Sequence, residues 1–175
     1  TAVESHATKV RFLRNRCAGY QGSLLIACPT SSEAGAYADV HADDIVVQGN
    51  EMICANPGTG NGSGICIWPL SEKNITNIRI LNNTIETDYC GILNKYIDND
   101  SVIDGLMIAN NSITYVGNEE SNIASQYEFK VHGKNGVKLL GATVIKNVVI
   151  CDNTIFNFPE SAVLVTSMES GTVTG

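Results

Sequence analysis

The sequence predicts an all-β solenoid, about five stacked coils in one domain spanning residues 1–175. Three observations predict it. First, an asparagine recurs at one position in five segments, "VRFLRNRC", "IVVQGNEM", "IRILNNTI", "LMIANNSI" and "VVICDNTI", giving Asn15, Asn50, Asn83, Asn111 and Asn153. Second, apolar, mostly β-branched residues alternate before each Asn, which is the period of a strand. Third, a second apolar strand follows the Asn turn and usually opens on a small residue.

The first strand of each unit places apolar residues five and three positions before the Asn: Val10 and Phe12, Ile45 and Val47, Ile78 and Ile80, Leu106 and Ile108, Val148 and Ile150. Three positions earlier stands Ala7, Ala42, Ile75, Ile103 or Ile145. Asn then ends the strand, because it tolerates the left-handed backbone region and its amide bonds neighbouring backbone. Coils in register stack these amides about 4.8 Å apart, so each donates to the next. Two residues after the Asn comes Cys17, Met52, Ile85, Ile113 or Ile155.

The later strand of each unit begins at Gly22, Gly64, Gly91 or Ala162, with inward residues Leu24 and Ile26, Ile65 and Ile67, Ile92 and Asn94, Val163 and Val165. Its outward positions form one column of Leu25, Cys66, Leu93 and Leu164 and a second of Ala27, Trp68, Lys95 and Thr166. The fourth coil has two readings. "GVKLLG" follows the small-plus-apolar rule through Gly136 and Val137; "FKVHGK" gives more even spacing and sets His132 beside Lys95. The Asn-to-Asn intervals are 35, 33, 28 and 42 residues, so loop insertions vary between coils.

The "NNTI", "NNSI" and "DNTI" steps, each followed by a "GI"-like strand, resemble the right-handed, single-stranded parallel β-helix of the pectin-lyase-like superfamily. That resemblance covers residues 7–166. It implies a polysaccharide as partner, because the superfamily includes pectate lyases, polygalacturonases, alginate lyases, epimerases and bacteriophage tailspikes. Within it, fold does not fix activity.

A net charge of −7 argues against nucleic acid as partner. No apolar run reaches membrane-spanning length, so no membrane partner is expected. The six cysteines, Cys17, Cys28, Cys54, Cys66, Cys90 and Cys151, form no close pair and no metal-ligand spacing; they fit free thiols of a chain made in a reducing compartment, as a viral protein is. No capping element precedes residue 7 or follows residue 166, so a piece of a longer chain, or a partner covering the ends, is expected, located in a virion tail or outside a cell; a small β-helix with minimal caps is the alternative.

Candidate site residues fall on loops at residues 29–44, 55–64 and 114–138 and on strand ends beside them. Trp68, the one tryptophan, offers a face to a sugar ring, and Lys95 one coil on offers a cation to its carboxylate. Tyr96 extends that surface. Under the "FKVHGK" reading, Lys95 and His132 form a basic pair able to take a proton next to a uronate carboxylate. The stretch "YADVHADD" looks like the Tyr…Asp-Pro-His segment of mannuronan epimerases. That likeness gives Tyr37, Asp39 and His41 roles at a uronate C5, although Val40 replaces the proline and the Tyr-to-Asp spacing is one residue shorter. Glu86 with Asp88, and Asp98 with Asp100, are the remaining carboxylate pairs, each also explained by turn chemistry. No metal or other cofactor is expected; calcium is the one ion such carboxylates suit, and no "GGxGxD" repeat is present.

The expected function is recognition, with degradation, of a polysaccharide by part of a tailspike or capsule depolymerase, through lyase or hydrolase chemistry. The alternatives are a non-catalytic structural or adhesive module and a bacterial polysaccharide lyase or uronate epimerase. The outward apolar column predicts a homo-oligomer, as in trimeric tailspikes, or a loop lying over the column.

Overall fold

Alternating β-branched residues favour extended backbone with one face buried, and the computed structural model of the chain is built that way throughout. It describes residues 3–5, 8–18, 22–27, 41–54, 63–69, 74–94, 101–117, 134–140, 144–166 and 168–175. Among these residues there are eighteen strands and no helix. They form three sheets, in which every pairing is parallel.

Sheet I contains β2 (Arg11–Leu13), β5 (Ala42–Gln48), β8 (Asn74–Leu81), β11 (Val102–Ala109), β15 (Val148–Cys151) and β18 (Gly171–Thr174), with β14 (Val144–Lys146) also paired to β11. Sheet II contains β3 (Arg16–Ala18), β6 (Glu51–Cys54), β9 (Thr84–Thr87), β12 (Ser112–Tyr115) and β16 (Thr154–Phe156). Sheet III contains β1 (Val3–Ser5), β4 (Gly22–Ala27), β7 (Ser63–Trp68), β10 (Ile92–Asn94), β13 (Val137–Leu139) and β17 (Val163–Val165). The chain visits the sheets in the order I, II, III and begins again, so neighbours within a sheet come from successive coils.

The inward columns stand where the repeat places them. Ile45 lies level with Ile78, and Val47 with Ile80. Met52, Ile85, Ile113 and Ile155 follow one another in sheet II. In sheet III, Leu24, Ile65, Ile92, Val137 and Val163 are successive partners. Most of these side chains are fully buried and form one core. Full burial of each such side chain contributes about 1.5–3 kcal/mol relative to exposure.

The asparagine ladder is continuous. Asn15, Asn50, Asn83 and Asn111 each donate their Nδ2–H to the Oδ1 of the next Asn, at 3.1, 2.9, 2.9 and 2.9 Å. Each backbone N–H of these four donates to the same oxygen, at 2.8–3.0 Å. The second Nδ2–H of Asn50, Asn83, Asn111 and Asn153 reaches back to the carbonyl of Phe12, Val47, Ile80 and Ile108. An amide has two donors and two acceptor lone pairs, and interior members of the ladder use all four. Polar side chains only 1–2 % exposed therefore sit in the core without an unmet bond.

The turn differs from expectation in one respect. The ladder Asn is not itself left-handed; the residue before it is, at Arg14, Gly49, Asn82, Asn110 and Asp152, with φ between 54° and 68°. A second left-handed residue stands six positions before each ladder Asn: Lys9, Asp44, Asn77, Gly105 and Asn147. It answers a geometric need. Ala42 and Ile45, like Ile75 and Ile78, both face inward although three residues apart, which a strict period of two forbids. One left-handed residue between them resets the alternation.

Glycine at the start of the sheet III strands is required by packing. A Cβ on Gly64 would lie 2.6 Å from the Gly91 carbonyl oxygen, and one on Gly91 would lie 2.5 Å from that of Gly136. The fourth coil follows "GVKLLG": Ile92 pairs with Val137, and Leu93 with Lys138. The "FKVHGK" reading is thereby overturned, because β10 and β17 both bond to Val137–Leu139. Lys138 joins the outward column between Leu93 and Leu164 and is only 4 % exposed, while Leu25, Cys66, Leu93 and Leu164 are half-buried. Ala27, placed outward by the alternation, is buried as well.

Candidate functional site

Six of the seven residues singled out above belong to, or border, chain segments that lead from sheet III into sheet I. These are the segments after Ala27, after Trp68 and after Asn94. Lys95, Tyr96, Tyr37, Asp39 and His132 lie outside the described residues, as do Asp98 and Asp100. Trp68 and His41 are described, one on each side of this corner.

Trp68 ends β7, level with Ala27 and half-buried, and is followed by the buried Pro69. The carbonyl of Pro69 accepts the Ser101 hydroxyl at 3.4 Å, which ties this corner to the next coil. Asn94, one coil after Ile67, faces the core. It clamps Leu140, accepting its N–H at 2.6 Å and donating to its carbonyl at 3.0 Å.

His41 is exposed immediately before β5, and its Nδ1 accepts the backbone N–H of Asn74 at 3.4 Å. In that state the free ring nitrogen of a neutral His41 carries the proton, so the side chain presents a donor rather than a base.

A polar ledge continues from His41 along the outer side of sheet I. Asp43 Oδ1 accepts the Thr76 hydroxyl at 2.5 Å and the Asn77 side-chain amide at 2.8 Å, both from the next coil. The exchange repeats further along, where Asp104 accepts the Asn147 amide at 2.7 Å and pairs with Lys146 at 3.4 Å. The Thr76 and Asn77 bonds hold the Asp43 carboxyl below the ordinary aspartate range. Asp44 is clamped from both neighbouring coils, by Arg11 at 2.7 Å and Arg79 at 3.1 Å, and the Arg11 bond leads in lowering its pKa. The outward Val46 lies level with both arginines and is only 7 % exposed, as expected where their aliphatic stems cover it.

The described ledge is a row of hydrogen-bonding side chains shared between neighbouring coils. Asp43 and Asp104 are two strand spacings apart, about 9.6 Å, at the outer limit for a glycosidase pair. A carboxyl with a depressed pKa is no general acid at neutral pH. Glu86 is exposed on sheet II and Asp88 is buried beyond the following corner, so these two share no face. Among the described residues no group of three His, Cys, Asp or Glu side chains is placed to hold a metal.

Sequence reasoning missed Lys138, hidden by the undecided register, and the Asp43–Thr76–Asn77 exchange. The second was legible in principle, since Asp43 and Thr76 both directly follow the aligned pair Ala42 and Ile75. The five described cysteines are free thiols, and burial pushes Cys90 up to about 11.

In comparisons with protein-family models, curated proteins and solved structures, nothing matches the chain. The class it defines is therefore the coarse one the fold carries: an all-β protein of three all-parallel sheets.

Proposed function

We propose that the chain is a right-handed parallel β-helix of the pectin-lyase-like kind that recognises a polysaccharide, as part of a tailspike or depolymerase. The supporting observation is the cyclic order of the three parallel sheets around a saturated asparagine ladder, with Trp68 and His41 on either side of the corner from sheet III into sheet I. Such a scaffold repeats every 4.8 Å along a straight face, which suits a linear polymer. Right-handedness follows from the strong preference of strand–crossover–strand connections. Degradation, by a lyase, hydrolase or epimerase step, belongs to the same proposal; its candidate residues are Lys95, His132, Asp39 and His41, with Tyr37 and Tyr96 binding.

The test is binding to a panel of capsular, uronate and neutral polysaccharides, with new reducing ends and unsaturated-uronate absorbance followed in parallel. Trp68→Ala is expected to weaken the preferred glycan several-fold, about 1 kcal/mol for one lost ring stack, while the fold persists. Unchanged binding in that variant removes Trp68 from the site, and a panel without any binder removes the reading.

A second reading, a non-catalytic structural module that assembles through sheet III, is favoured by the apolar column of Leu25, Cys66, Leu93 and Leu164. Sedimentation separates the two: a trimer without product from any glycan supports the structural module. Half-burial of that column within one chain leaves less area for a second copy.

A further inference from the structure

The chain has eleven Lys and Arg against eighteen Asp and Glu, yet four of the cations fall within eight residues of the first coil: Lys9, Arg11, Arg14 and Arg16. No acid lies between residues 8 and 18, and all four side chains are exposed. They follow the outer rim of the coil from sheet I, through the turn at Asn15, into sheet II. Arg11 and Arg16 each hold a carboxylate of the second coil, Asp44 and Glu51. Among the described residues no ion pair within 4.0 Å reaches Lys9 or Arg14, although the Lys9 charge is among the causes that lower the Asp43 pKa.

These two cations also occupy costly positions. Lys9 and Arg14 are left-handed, at φ 57° and 54°. Later coils mostly fill the same places with residues that accept this backbone: Asn77, Gly105 and Asn147 for the first, Gly49, Asn82 and Asn110 for the second. In the first coil, a long cation takes the place of the residue the turn favours.

We propose that this rim binds an anionic polysaccharide, through carboxylates or sulfates spaced along the polymer. The surface lies on the first coil and goes beyond the corner at Trp68, which serves the reading above. Charge complementarity points to the partner. Arginine pairs with planar carboxylate or sulfate through two parallel bonds, and a lysine adds a point charge. A polyanion with one charge per sugar suits Lys9 and Arg14, flanked by Arg11 and Arg16 that already bridge to Asp44 and Glu51, better than the dense phosphates of a duplex do. Phe12, the one aromatic among residues 8–18, packs against the core, so no ring is offered to a base.

The test uses the whole chain and five polymers: alginate and polygalacturonate for carboxylate, dextran sulfate for sulfate, neutral dextran, and duplex DNA. Binding is expected to one anionic class, to fade as salt is raised, and to be absent for dextran. The double variant Lys9→Asn, Arg14→Asn removes two charges and installs the residue other coils carry there, so its melting temperature should hold or rise. Its affinity should fall about tenfold. The pair Lys9→Gly, Arg14→Gly repeats the measurement with a second turn-compatible residue. Trp68→Ala is measured beside them on the same polymers: a loss there with none in the double variants places the binding at the corner and overturns the rim, so failure here and failure at the corner are told apart. Undiminished affinity in both double variants, no binding to any anionic polymer, or equal binding to duplex DNA overturns the proposal.

Discussion

Asparagine 83 carries the logic of the fold at the scale of one residue. Its Oδ1 receives two donors from Asn50, and its Nδ2 donates to Val47 and to Asn111. Leucine has a similar size and no polar group. In Asn83→Leu, Asn50 would lose the acceptor for two buried donors, and the Val47 carbonyl would lose its amide. The expected loss is about 1–3 kcal/mol, read as a lower urea midpoint at unchanged slope. Stability equal to the parent would mean that the ladder satisfies the core without stabilising it. The end members differ for a physical reason: Asn15 is exposed and Asn153 half-buried, so the same substitution there should cost less.

At the scale of the element, each coil is shaped by two left-handed residues, and three of the coils also by a close glycine contact, at Gly64, Gly91 and Gly136. The spacing of three between Ala42 and Ile45 signals the first left-handed residue, and the ladder Asn signals the second one place too late. Gly91 sets the approach of its coil to the next. Its missing Cβ leaves room for the Ile113 side chain and the Gly136 carbonyl, so Gly91→Ala overpacks the junction of sheets II and III. We expect a loss of about 1–3 kcal/mol in thermal or urea unfolding. A neutral result would show that neighbouring coils yield without penalty.

At the scale of the whole molecule, stacking turns weak local elements into one core, since no three-residue strand is stable alone. Thiol chemistry reports on that core. Cys54 and Cys90 are fully buried, and desolvation raises both thiols. Cys66 and Cys151 are half-buried. A soluble disulfide reagent should therefore label Cys66 and Cys151 first, and Cys54 and Cys90 only on unfolding, a difference mapped by mass spectrometry. Rapid labelling of Cys90 in the native protein would show that the third coil opens. The same stacking gives the outer faces a fixed repeat, and this makes a polymer the natural partner in both proposals.

The sequence by itself determined the all-β class, the ladder and the inward columns, because these follow from alternation and from residues repeated at one place in five units. Ile80, Ile108 and Asn111 were legible for that reason. Tertiary structure alone decided what depends on neighbours from other coils. It chose Val137–Leu139 over the segment holding His132, since only pairing to β10 and β17 fixes a register between two plausible strands. It buried Lys138 and Ala27 on positions that alternation points outward. It also joined Asp43 to Thr76 and Asn77, residues 33 and 34 positions away in sequence, across one strand spacing. A repeat dictates which way a side chain faces; what it meets there is set by the coil stacked against it.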